Sequence, residues 1–120
     1  MPQYLALIYE PADQQAVAPE DFDADVMADY MAFGEAAGAA GVIAGGNALQ
    51  STETATTVTV LGGKGGDIVT TDGPFAETKE VLGGYYLLDC ADLDEAIKWA
   101  AQIPGAWLGK VEVRPVVVFE

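Results

Sequence analysis

The chain has 120 residues, 19 of them acidic and five basic, for a net charge of −14, and it contains no histidine. This length is one domain, for which size scaling gives a folded surface of about 6,000 Å² and enough core to fold without staples. So negative a protein is excluded from nucleic acid and anionic lipid, where Lys and Arg must displace condensed counterions, and solubility accounts for the acidity. The single cysteine, Cys90, rules out an internal disulfide framework, and without histidine the Cys/His zinc patterns are absent, so neither metal nor cofactor is expected. Met1-Pro2-Gln3-Tyr4 lacks the basic region of a signal peptide, and no apolar run approaches the ~20 residues of a membrane-spanning helix. A cytoplasmic protein with no membrane segment is expected.

Gln3 to Glu10 has the length and composition of a strand, apolar at Tyr4, Ala6 and Ile8 and again at Leu5, Leu7 and Tyr9, so both faces need cover. Residues 11–18 suit a surface loop. Pro19, followed by Glu20 and Asp21, predicts a helix start; Phe22, Val26, Tyr30, Phe33 and Ala37 make its buried stripe, Asp21, Asp25 and Asp29 its wet face, and Gly38 and Gly41 its end. Val42 to Gln50, interrupted by Gly45 and Gly46, predicts a short strand with a bulge.

Thr56 to Leu61 and Asp67 to Thr71 predict a hairpin, with the glycines of Gly62-Gly63-Lys64-Gly65-Gly66 supplying the positive φ angles of the reversal. Gly84 to Cys90 is a second two-sided strand, with Tyr85 and Leu87 on one face and Tyr86 and Leu88 on the other. Asp92 and Glu95 form a capping-box pattern for a second helix whose buried stripe is Leu93, Ala96, Ile97, Ala100 and Ile103, stopped by Pro104-Gly105. Lys110 to Phe119 is the closing strand.

The order is β-α-β, an inserted hairpin, then β-α-β. That predicts a ferredoxin-like α+β sandwich with both helices on one face of an antiparallel sheet. The strands are apolar on both sides, so the second face must also be buried, and with two helices available its cover is the same sheet of another copy. A homodimer through the sheet faces is expected.

Asp72-Gly73-Pro74-Phe75-Ala76-Glu77-Thr78-Lys79-Glu80 packs a tight turn, three carboxylates and a lysine between strands. Asp72 at the head of the turn suits a brace for backbone N–H groups; it also suits a general base, if partly buried beside a pocket. Glu77 is the other candidate base. Lys79 is a candidate for stabilising a substrate carboxylate or enolate, although an exposed, locally paired face explains Glu77, Lys79 and Glu80 equally. Arg114, the only arginine, shares a side of the last strand with Glu112, which suits a structural pair or an anionic ligand. Tyr30, Tyr85 and Tyr86 read as core or interface aromatics, with the Tyr85 hydroxyl the one assigned to line a cavity. Trp99 and Trp107 read as packing residues, and Cys90 as a small buried hydrophobe.

Two patterns carry no chemistry. Gly62-Gly63-Lys64-Gly65-Gly66 lacks P-loop spacing, and Asp21, Asp23 and Asp25 lack the glycine and distal glutamate of a calcium loop.

The nine residues from Asp72 to Glu80, with Tyr4 to Tyr9, Gly41 to Gln50, Leu82-Gly83-Gly84-Tyr85-Tyr86, the Asp92 to Ile103 helix and Val111 to Pro115, resemble the DGPF subgroup of the YCII-related proteins. The resemblance covers nearly the whole chain. It implies a dimeric α+β barrel, usually bacterial, with no generally established activity. Members are often encoded beside sigma factors of the extracytoplasmic-function type, which implies a non-catalytic sensing or regulatory module as the alternative to a small-molecule protein with acid/base chemistry. A His–Asp dyad proposed in relatives cannot be carried over to a chain without histidine.

Overall fold

The structure, a computed structural model, describes residues 1–15, 19–76 and 78–119. Six strands form, β1 (Gln3–Pro11), β2 (Ile43–Ala48), β3 (Thr56–Leu61), β4 (Asp67–Asp72), β5 (Glu80–Asp89) and β6 (Lys110–Pro115). Three helices accompany them, α1 (Ala24–Ala39), α2 (Leu93–Ala100) and α3 (Pro104–Leu108). Strands β2, β5, β1 and β6 lie side by side in that order, each pair antiparallel, while β3 and β4 make a separate two-stranded ribbon. With the ribbon set aside, the connectivity is ferredoxin-like.

Alternation along the strands sorts the sheet into two faces. On the helix side, Ile43, Leu88 and Tyr4 form one row, Gly46, Tyr86, Ala6 and Val113 the next, and Ala48, Gly84, Ile8 and Val111 a third. Ala6 and Leu88 are fully buried there, together with Cys90, Ala96 and Ile103. Phe33 of α1 closes the layer, its ring 5.0 Å from that of Tyr86 and 6.4 Å edge-on from Trp99.

Helix α1 starts later than Pro19 predicts. Pro19–Asp21 is a separate 3₁₀ turn, and the helix begins at Ala24 with Asp23 as its cap, Oδ1 accepting from the N–H groups of Asp25 (2.8 Å) and Val26 (3.2 Å). A capping carboxylate satisfies orphan donors more directly than a proline four residues earlier. At the far end Gly41 takes φ 72°, donating to Gly38 O, while Val42 donates to Ala37 O. This glycine-terminated double bond turns the chain back into β2.

Further features differ from expectation, among them the start of β5 at Glu80 rather than Gly84. Pro104 does not stop the second helix but opens a third, at a position where its missing N–H is harmless. Leu93 and Ile97 are half exposed rather than buried, because Ala96 and Ala100 carry α2 against the sheet. Strand β6 ends at Pro115, which has no N–H to continue the ladder; Val116 donates to Gln3 O, and Val117, Val118 and Phe119 run on exposed.

The chain is spread out for its size. Its accessible surface is 8132 Å², about 2,000 Å² above the size-scaling value. The radius of gyration is 16.3 Å, against roughly 13.6 Å for a compact domain of this length. The principal extents of 46 × 42 × 20 Å describe a plate two layers thick.

Candidate functional site

The face of the sheet away from the helices carries no covering element among the described residues. Its rows read Gly45, Leu87, Leu5 and Arg114; then Asn47, Tyr85, Leu7 and Glu112; then Leu82, Tyr9 and Lys110. The middle is apolar and the β6 margin is charged, because residues 110, 112 and 114 alternate onto the same side as Leu7. The Asn47 amide donates to the Tyr85 hydroxyl at 2.9 Å.

At one end of this face lies a shallow depression of about 380 Å³ lined by Tyr9, Glu80, Lys110, Val111 and Glu112. Lys110 pairs with Glu80 across it, and Arg114 pairs with Glu112 two residues away on the same strand. The hydrogen bond and charge of Glu112 hold the Arg114 guanidinium above its ordinary pKa, so it stays cationic. The depression thus combines an aromatic wall, two carboxylates and an ammonium, a set suited to a small polar molecule.

The residues singled out in the sequence divide between two places. Arg114 and Tyr85 sit on the open face, on strands separated by β1 and in neighbouring rows. Asp72 ends β4 opposite Thr56 and is exposed. The turn after it is held by the Gly73 N–H on Ala55 O (2.7 Å) and by the Thr57 hydroxyl on Gly73 O (2.9 Å), with Gly73 at φ 99°. Lys79 is exposed just before β5, its carbonyl accepting from the Ala12 N–H at 2.8 Å. Glu77 lies outside the described residues.

A clasp ties the root of the ribbon to the sheet. The Gln15 amide oxygen accepts from the Thr52 N–H (2.7 Å), and its nitrogen donates to Thr52 Oγ1 (3.0 Å) and Ala12 O (2.9 Å). Through these bonds Asp72 and Lys79 are rooted at the end of the sheet that carries the depression.

Two groups escaped the sequence reading. Lys110 opens a strand in the sequence pattern, and the alternation Lys110, Glu112, Arg114 marks one charged margin. Glu10 follows Tyr4, Ala6 and Ile8 in phase, which puts it on the helix side, and burial raises its carboxyl pKa. A Cβ on Gly83 would come within 2.6 Å of the Glu10 carboxyl carbon, so a glycine there admits the side chain. Tyr30 nearby is pushed up to about 12, first by burial, then by Tyr86, with Glu10 adding to the rise against a bond to the Gly105 backbone.

A carboxyl raised above its unfolded value of 4.5 leaves the native state holding more protons, so stability falls as pH rises through the gap between the two values. Glu10→Gln is therefore expected to raise the melting temperature at pH 7 and leave it unchanged below pH 4, where both states are protonated. The gain is a fraction of a kcal/mol, because solvent screens a half-exposed group. Thermal melts of both proteins at the two pH values check this, and an equal difference at both would show that charge is not the cause.

Among the described residues no group of three or more Cys, Asp and Glu is placed to hold a metal ion, and no helix is long and apolar enough to cross a membrane. Fold and face define a ferredoxin-like α+β domain with a mixed apolar and charged sheet surface. The chain belongs to the YCII-related domain family, which it matches over residues 3–120. It is 49% identical over 57 residues to an uncharacterized protein of Rhizobium meliloti (strain 1021), a stretch spanning 46% of each chain.

Proposed function

We propose that this YCII-related protein, of the DGPF subgroup, is a cytoplasmic bacterial homodimer that binds a small molecule between apposed sheet faces, in the depression beside Tyr9, Glu80 and Lys110. The observation that carries the proposal is the open face itself. Leu5, Leu7, Leu87 and Tyr85, each half-buried, form a contiguous apolar centre with no covering element among the described residues, while the charged groups collect along one margin. A second copy covers the centre and turns the shallow depression into an enclosed one.

In this arrangement Lys110 and Arg114 attract an anionic group of the ligand, and the Tyr85 and Tyr9 rings and hydroxyls orient it. Asp72 or Glu77 serves as the base that takes a proton from an activated carbon or phenol, with Lys79 stabilising the charge that develops.

A panel of small aromatic and lactone-type carboxylic acids, screened by thermal shift and followed by NMR for turnover, tests this. Lys110→Gln is expected to weaken a hit about tenfold, the loss of one charge-assisted hydrogen bond. Asp72→Asn is expected to abolish turnover with binding and fold retained. Binding without conversion would leave a sensing module, in line with the sigma-factor association the resemblance implies. An Asp72→Asn protein that does not fold would make that residue a brace for the turn.

A further inference from the structure

We infer that the β3–β4 ribbon is an arm that lies against the second copy of the chain. Among the described residues its strands pair only with each other, and a lone two-stranded hairpin is marginal in water without something to pack on. One face of the ribbon aligns Val58 opposite Thr70 and Val60 opposite Ile68, and the side chains of Val58, Val60 and Ile68 are 60%, 43% and 73% exposed. Nothing among the described residues of the same chain covers them.

Three observations identify a second copy as what does. The chain exposes about 2,000 Å² more than its size predicts, against the ~800 Å² each partner contributes to a standard interface, so there is surplus for an arm as well as a sheet face. The ribbon is rooted, through Gln15, Thr52 and Ala12, at the end of the sheet where the open face holds its depression, so a copy seated on that face lies beside the arm. Its tip, Gly62-Gly63-Lys64-Gly65-Gly66, presents one of five cations to a body of net charge −14.

This inference rests on the face-to-face dimer proposed above and goes beyond it. The arm carries Asp72 at its base, so its docking would fix the position of that carboxylate relative to the site. It also makes each site depend on a segment held in place by the other copy.

The test is amide hydrogen exchange of the full chain, measured above and below the dimer midpoint set by light scattering, with Val60→Thr/Ile68→Thr as a variant that keeps strand propensity. Amides of residues 56–72 are expected to gain protection only in the dimer, and the variant to weaken dimerisation about tenfold through lost apolar area. A dimer whose ribbon exchanges freely, with unchanged affinity in the variant, overturns the arm and leaves the sheet-face dimer standing. A chain that is single at every concentration overturns both. Protection independent of dilution means the ribbon packs within its own copy, which also overturns the arm.

Discussion

If the chain pairs through the open sheet face as proposed, Leu7→Glu is expected to yield a folded single copy in place of that pair. Leu7 stands in the middle row of the open face, between Tyr85 on β5 and Glu112 on β6. In an isolated copy a glutamate there still reaches water, so the fold loses little. Between two apposed sheets the new carboxylate meets Glu112 in its own row, and Glu112 is already committed to Arg114. Burying an uncompensated charge costs several kcal/mol, about 3–5, which corresponds to a dissociation constant raised by roughly three orders of magnitude. Light scattering during size exclusion reads the mass directly, and circular dichroism confirms the fold. A mass of two copies in the variant would move the interface away from this face.

Phe33→Ala is expected to be the most damaging single change in the helix layer. Phe33 is 4% exposed and touches both Tyr86 on the sheet and Trp99 on α2. Its ring thus couples the two helices to the strand between them. Truncation removes the transfer free energy and leaves a cavity, together about 3–5 kcal/mol, a large part of the 5–15 kcal/mol available to a typical domain. Phe33→Leu, which retains most of the volume, is expected to lose much less. Urea unfolding of both variants measures the difference, and a loss below about 1 kcal/mol for the alanine would mean the site collapses around the gap.

The fold was legible where the pattern had one interpretation. Tyr4, Ala6 and Ile8 against Leu5, Leu7 and Tyr9 declared a two-sided strand, and the burial follows that alternation. The glycine-rich reversal marked the ribbon, and Asp92 with Glu95 marked a helix start, where the Asp92 carboxylate accepts from the Glu95 N–H at 2.9 Å. Boundaries failed where one residue type serves two opposite jobs. Pro104 was read as a terminator, yet the same fixed φ suits the first turn of α3. Leu93 and Ile97 have the spacing of a buried stripe, but α2 is only two turns long and its alanines set how closely it packs.

The candidate site was legible only in part. That Arg114 shares a side of its strand with Glu112, and Tyr85 with Leu87, followed from strand phase, but neither Arg114 nor Tyr85 lines the depression. The Glu80–Lys110 pair joins residues 30 apart in sequence, and no local pattern announces a contact of that range. Glu10 was within reach, since it continues the phase of Ile8, but a charged residue at a strand end reads by default as solvated.

Among the described residues, strands β2 and β6 each leave an outer margin without a neighbouring strand. Directions alternate across the four strands, so a rotation axis running along them would set the last strand of one molecule antiparallel to the second strand of the other. The two margins would then close each other, joining eight strands into a continuous ring with no frayed border. Until that happens a newly made molecule offers two templates for stray extended peptide, and Gly45 and Gly46 provide no side chains to fend it off. Paired in this way, the protein would be safest when plentiful, because its own twin would be the competitor that shields it.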